Sequence, residues 1–140
     1  MTREILFRGK AKKNGEWVYG DLCYSRSGKP FIRYWHGAPG KEVYRAEEVR
    51  QNPVEMYTGL DDRYGKRIFE GEIVNYHGSH HQVVFENRYG CAYFGIVVSE
   101  IETWGFGHLA PSDRMIVVGN IHDNIEILET ENGQNKNRVV

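Results

Sequence analysis

The feature that most constrains this fold is an alternation of apolar and polar residues, broken by turn-forming residues roughly every 8–12 positions. The clearest case is the segment 91–98, where Ala92, Phe94, Ile96 and Val98 share one parity. A period of two puts each parity on its own face of an extended strand. Several short strands at this spacing predict an all-β protein, a sandwich or a barrel, with little helix.

The alternating runs predict strands over residues 3–8, 16–24, 31–35, 72–77, 82–86, 91–98, 115–118 and 125–128. Residues 45–51 instead predict one helical turn, because Pro53 disfavours helical backbone in the residue before it. The 140 residues (16.2 kDa) have room for one domain or for two small subdomains. We predict an N-terminal antiparallel β subdomain over residues 1–52, an SH3-like β-barrel over 53–128 and a polar C-terminal tail over 129–140.

The segment 57–74 (YTGLDDRYGKRIFEGEIV) carries the strongest turn signals of the chain. Asp62 and Gly65 occupy the first and fourth positions favoured in a type I turn. Gly71 follows an apolar pair and precedes another, so we expect it to adopt positive φ at a tight bend. Gly59 in this segment and Gly119 further on complete the set of predicted structural residues.

This segment and two others resemble the YopX family, which is encoded mainly by bacteriophages and prophages. The opening segment comprises residues 3–10 (REILFRGK) and 17–20 (WVYG). The closing segment is residues 118–124 (VGNIHDN). The resemblance spans residues 3–128. It departs from the family at Glu72, where Asp is usual, and at Ile125, where Pro is common. The family has no assigned molecular function, so the resemblance implies a phage or prophage origin and transfers no catalytic residue.

Composition narrows the function classes. The formal net charge is −1, with 18 Lys and Arg against 19 Asp and Glu, so no overall excess attracts nucleic acid, membranes or anionic substrates. The sequence lacks a charged-then-apolar leader, and no apolar run approaches the ~18 residues of a membrane span. We therefore expect a cytoplasmic protein of a bacterial host. Cys23 and Cys91 lie in predicted strands and are expected to be reduced core thiols.

A histidine cluster, His77, His80 and His81, is the one candidate metal site. Imidazole is a good zinc or nickel ligand, but alternation in a strand sends His80 and His81 to opposite faces. We favour turn histidines, and expect no metal and no cofactor. Acidic pairs such as Asp61 and Asp62 fit turns better than acid–base catalysis. No serine or cysteine motif indicates a nucleophile, and no glycine-rich motif indicates a phosphate loop. We therefore predict that the chain is not an enzyme, and we identify no small-molecule substrate.

Basic residues gather near the N-terminus, close to several aromatic residues. Such a surface can bind single-stranded nucleic acid. Solvated turn lysines that protect an edge strand are the simpler interpretation, and the neutral overall charge favours it. The candidate nucleic-acid contacts are Arg8, Lys10, Lys12 and Lys13.

Aromatic residues occupy both parities of the first three strands, although only one face of a strand can meet the core of a small domain. Large apolar groups outside a core often mark a protein–protein surface, with a seam between subdomains as the alternative. We therefore predict a non-enzymatic binding or assembly module that forms a homo-oligomer. A nucleic-acid-binding accessory protein is the alternative. The candidate interface residues are Trp17, Tyr19, Trp35, Trp104 and Phe106.

Overall fold

Ten β-strands dominate the computed structural model, which describes residues 3–88, 90–107 and 109–129. The all-β prediction is confirmed. The strands are β1 (Phe7–Ala11), β2 (Trp17–Tyr24), β3 (Pro30–His36), β4 (Val43–Asp61), β5 (Arg67–Phe69), β6 (Glu72–Tyr76), β7 (Ser79–Arg88), β8 (Cys91–Val97), β9 (Thr103–Gly105) and β10 (Ile116–Asn120). A 3-10 helix, Ser112–Arg114, precedes β10, and a single helical turn, α1 (Glu126–Glu129), follows it.

The chain divides into two units, one ending at Tyr57 and the next beginning at Thr58. In the N-terminal unit every neighbouring pair of strands is antiparallel. β1 pairs with β2, β2 with β3 and β3 with the first part of β4, while the second part of β4 pairs back onto β1. The four strands therefore close into a ring whose interior is small and apolar. Its fully buried apolar side chains are Ala11, Pro30, Ile32 and Val49.

In the C-terminal unit five strands form one antiparallel sheet in the order β10-β6-β7-β8-β9. Its core is made of side chains from β5, β6, β7, β8, β10 and the segment before β10. These are Ile68, Val74, Tyr76, Val83, Ile96, Ala110, Met115 and Val117. The SH3-like barrel expected for this unit stays a prediction.

Three local predictions are wrong. The first strand, predicted over residues 3–8, is β1 (Phe7–Ala11), because the pairing with β2 and β4 begins only at Phe7. Residues 45–51 belong to β4 rather than to a helical turn, because they lie opposite β3 and β1 in the ring. Residues 125–128 lie mostly in α1 rather than in a strand; the amide of Ile127 donates to the carbonyl of Asn124, and Leu128 is buried. The predicted tail lies outside the described residues apart from Glu129.

The cysteine prediction holds in part. Both cysteines are free thiols. Cys91 is exposed rather than in the core, because it lies opposite Arg88 at the end of the β7–β8 hairpin. Cys23 is half-buried.

The predicted turn at Asp62 is confirmed, and its carboxylate reaches beyond the turn. Asp62 is only 6% exposed. Its Oδ1 accepts the amides of Tyr64 and Lys66, each at 2.9 Å, and its Oδ2 accepts the amide of Val117 in β10 at 3.0 Å. The amide of Gly65 donates to the carbonyl of Asp62 at 3.1 Å, as a type I turn requires. One side chain thus fixes both the turn between β4 and β5 and its attachment to β10.

Gly71 links the segment 57–74 to the closing segment 118–124 by a backbone hydrogen bond. Its φ is 82°, as expected for a residue at a tight bend, and a β-branched side chain would be strained there. Its amide donates to Val83 at 2.8 Å, and its carbonyl accepts the amide of Ile121 at 2.9 Å. The bend before β6 is therefore hydrogen-bonded to the residue that follows β10.

The other predicted structural glycines also occupy restricted positions. Gly59 and Gly65 have φ values of 87° and 81°. At Gly119 a Cβ atom would lie 2.7 Å from Oδ1 of Asn124, which accepts the amide of Asn120.

Replacing Asp62 with Ala should lower the free energy of unfolding by about 3 kcal/mol or more, because three backbone amides lose a charged acceptor. Urea denaturation followed by fluorescence would measure the change. Asp113→Ala, at an exposed position in the same unit, is the matched control and should change stability little. Equal effects of the two substitutions would show that the Asp62 carboxylate does not hold the turn and β10 together.

Candidate functional site

The predicted basic surface of the N-terminal unit is largely neutralised by the fold itself. Arg8 is 3% exposed, and its guanidinium donates to Oε1 of Glu55 from Nε at 2.9 Å and from Nη2 at 2.8 Å. Arg8 and Glu55 lie directly opposite each other on β1 and β4. A buried guanidinium paired in this way is not presented to an external phosphate.

The lysines of the same run also have partners. Lys12 Nζ lies 3.1 Å from a carboxylate oxygen of Glu48, and Lys13 Nζ lies 3.0 Å from one of Glu47. The ammonium group of Lys10 lies 5.2 Å from the ring centroid of Trp17. Exposed pairs such as those of the lysines are weak, so a ligand could displace them. Nucleic-acid contact by Lys10, Lys12 and Lys13 stays a prediction.

Trp17 has an internal role that its sequence position did not reveal. The guanidinium carbon of Arg8 lies 4.3 Å from its ring centroid, and Lys10 lies directly opposite it on β1. The ring is half-buried. It therefore supports the basic side chains of β1 by cation–π contact as well as lining a surface cleft.

A cluster of exposed aromatic and charged side chains lies on the β2–β3–β4 surface; we call Tyr19, Asp21, Arg33, Trp35 and Tyr44 the aromatic face. Trp35 is 67% exposed and lies opposite Tyr44, with ring centroids 4.9 Å apart. The Tyr44 hydroxyl donates to Oδ2 of Asp21 at 3.1 Å. The guanidinium carbon of Arg33 lies 5.6 Å from the Tyr44 ring centroid.

Tyr44 is held as a neutral donor in this cluster. Desolvation, followed by the hydrogen bond to Asp21, raises the pKa of its hydroxyl above the ordinary value of 10.0. The ring is thus fixed by a hydrogen bond at one end and by Trp35 beside it, while a large part of both rings stays in solvent. The aromatic face is a preformed surface.

The two remaining candidate interface residues, Trp104 in β9 and Phe106 just after it, behave differently from each other. Trp104 is partly exposed, and its indole Nε1 donates to Glu102 at 2.5 Å. Phe106 packs against the core of the C-terminal unit. Phe106 is therefore part of the packing of the C-terminal unit, and only part of the Trp104 ring is accessible to a partner.

The three candidate histidines do not converge. His77 lies in the turn between β6 and β7 with φ of 53°, and its ring stacks near that of Tyr76. His80 and His81 are neighbours on β7, and the buried His81 Nδ1 lies 2.9 Å from the carbonyl of Val97. Over the described part of the chain, no group of three His, Cys, Asp or Glu side chains could hold a metal ion.

One cleft was not foreseen from the sequence. It lies in the C-terminal unit, has a volume of about 570 Å³, and is lined by Arg63, Asn75, His77, Asp113, Arg114 and Ile116. Its residues come from three separate segments, at 63, 75–77 and 113–116, so only the strand pairing brings them together. The one sequence signal was that Arg63 belongs to the predicted turn.

Comparison with known proteins identifies the fold and the family, but no activity. The family model described as YopX protein matches residues 6–129. The crystal structure of protein EF1440 from Enterococcus faecalis is similar over 91% of this chain and 100% of that one, with a TM-score of 0.56 and 22% identity. That likeness concerns the fold alone. No curated protein matches the chain. No helix among the described residues is long and apolar enough to cross a membrane.

Replacing Glu55 with Ala should lower the free energy of unfolding by about 3–5 kcal/mol, because the buried Arg8 guanidinium loses the carboxylate that balances its charge. Glu48→Ala is the control, since it removes an exposed carboxylate partner of Lys12 and should cost less than about 1 kcal/mol. Chemical denaturation measures both. If Glu55→Ala were as mild as Glu48→Ala, Arg8 would be free to turn outward, and nucleic-acid contact would regain Arg8 as a candidate.

Proposed function

We propose that this chain, which belongs to the YopX family, acts as a non-enzymatic binding module that associates with a second copy of itself through the aromatic face. The single observation that carries the proposal is the Trp35–Tyr44 pair, two large rings fixed together on the surface of a closed ring of strands. The cytoplasm of a bacterial host that carries the phage or prophage is the setting in which we expect this role.

The composition of the aromatic face suits recognition. Tryptophan, tyrosine and arginine are the residues that most often dominate the binding energy of protein interfaces, and Trp35, Tyr44 and Arg33 lie together here. Because Tyr44 is already held by Asp21 and Trp35, it loses little conformational freedom when a partner covers it. Preformed aromatic anchors of this kind favour association without rearrangement.

The charges on the aromatic face favour a second copy as the partner. Asp21 and Arg33 lie directly opposite each other on β2 and β3, so the face carries both signs side by side. In a two-fold dimer both copies use the same surface. If one residue contacts a second residue of the other copy, the reciprocal contact forms as well. Such an arrangement lets Arg33 of one copy approach Asp21 of the other while the two Trp35 rings pack between them.

Nucleic-acid binding through the N-terminal unit is the second candidate. A separate cleft of about 300 Å³ is lined by Lys13, Asn14, Trp17, Tyr19 and Tyr34 among others. Aromatic rings beside a lysine offer stacking for bases and a contact for phosphate. This candidate shares Tyr19 with the aromatic face but does not need Trp35.

Sedimentation velocity of the purified chain tests the self-association directly. We expect a species heavier than the 16.2 kDa monomer that persists at high salt, because burying apolar rings does not weaken as charges are screened. Trp35→Ser should shift the population towards monomer. Tyr24→Ser is the matched control, since Tyr24 is 59% exposed and has the opposite parity on β2.

Two outcomes would contradict the proposal. One is a monomer at every concentration and salt level. The other is an oligomer that Trp35→Ser leaves unchanged. A monomer that binds an oligonucleotide, with an affinity that falls steeply as salt rises, would favour the second candidate.

A further inference from the structure

The cleft lined by Arg63, Asn75, His77, Asp113, Arg114 and Ile116 has the features of an anion site. Two guanidinium groups and an imidazole face one carboxylate, so the lining carries a net positive charge even when His77 is neutral. A concave surface with an excess of positive charge concentrates its field and attracts anions. The charge of the cleft contrasts with the formal net charge of −1 of the whole chain.

The backbone around the cleft is held in place by hydrogen bonds. The amide of Arg63 donates to the carbonyl of Met115 at 2.8 Å, next to the buried Asp62 carboxylate. Asn75 and Ile116 are direct partners in the β6–β10 pairing. The amide of Arg114 donates to the carbonyl of Pro111 at 3.2 Å, which closes the 3-10 helix. The side chains of the cleft therefore project from a framework that the fold fixes.

The two arginine side chains are not used by that framework. Across the described residues, neither Arg63 nor Arg114 donates a side-chain hydrogen bond or forms an ion pair. The guanidinium carbon of Arg63 lies 5.9 Å from the ring centroid of Tyr64, which orients the side chain without neutralising it. Arg8 in the N-terminal unit, by comparison, is fully engaged with Glu55. Two guanidinium groups that the fold does not neutralise therefore lie together at this cleft.

We propose that this cleft binds a phosphate group of a phosphorylated ligand. Guanidinium groups present paired N–H donors whose spacing matches two oxygens of a phosphate, and Asn75 and His77 add further donors. The volume of about 570 Å³ exceeds what a bare phosphate needs and lies in the range of about 300–1,000 Å³ typical of small-molecule sites. Asp113 supplies an acceptor for a hydroxyl group, such as those on the sugar of a phosphate ester.

Titration of the ¹⁵N-labelled full chain with inorganic phosphate, at an ionic strength held constant with sodium chloride, tests this proposal by NMR. We expect saturable shifts of the amide signals of Arg63, Asn75, His77 and Arg114. Arg63→Gln and Arg114→Gln should each weaken binding by about tenfold or more, because each removes charge-assisted hydrogen bonds. Arg45→Gln, an exposed arginine of β4 in the N-terminal unit, is the charge-matched control and should bind as the unmodified chain does.

Two further ligands identify the source of the phosphate. A nucleoside monophosphate that binds more tightly than inorganic phosphate, and is weakened by Asp113→Asn, indicates a free nucleotide-like ligand. A short single-stranded oligonucleotide that binds more tightly than the monophosphate, with a salt dependence reduced in Arg63→Gln, indicates a nucleic-acid backbone. Both results support a phosphate site.

The proposal is overturned if none of these ligands gives saturable shifts, or if the two arginine variants bind as the unmodified chain does. The arginines lie on separate segments, and their side chains make no hydrogen bonds within the described structure. Each variant should therefore keep the spectrum of the folded chain, and each tests the site independently of the other.

Discussion

The buried carboxylate of Asp62 is the interaction on which the C-terminal unit most depends. It accepts two amides from its own turn and one from Val117, which is 55 residues away in the sequence. A buried carboxylate is costly unless hydrogen bonds replace its water, and here three backbone donors do so. The same contact places Arg63 beside Met115, and so decides which side chains surround the cleft.

The N-terminal unit follows the same rule with an ion pair. Arg8 and Glu55 form a buried ion pair across the neighbouring strands β1 and β4, and Glu47 and Glu48 of β4 pair with the lysines of the β1–β2 turn. The fold therefore uses Arg8, Lys12 and Lys13 in its own ion pairs. The groups that it leaves unused include exposed rings on the aromatic face in one unit and two guanidinium groups at a cleft in the other. Our proposals rest on these unused groups.

Local sequence patterns predicted the features that depend on local geometry. The alternation predicted the all-β class. The turn-forming residues predicted the turn at Asp62 and Gly65 and the bend at Gly71. The partners of Arg8 and Val117 lie 47 and 55 residues away, and no local pattern encodes such pairings. Because residues 45–51 were interpreted as a helical turn, the strand that carries Glu47 and Glu48 was not predicted, and neither were their ion pairs.

The same limit applies to the candidate sites. Trp35 was identified, but its neighbour Tyr44 was missed, because that contact exists only once β3 and β4 pair. The error at residues 125–128 arose because a short apolar run is compatible with either a strand or a helical turn.

We expect the aromatic face to be the surface that is covered when two copies associate. NMR spectra of the ¹⁵N-labelled chain over a wide range of concentration test this most directly. The amide signals of Asp21, Arg33, Trp35 and Tyr44 should shift with concentration, while those of Asp62 and Val117 stay fixed. Spectra that do not change with concentration, or that change only in the C-terminal unit, would contradict it.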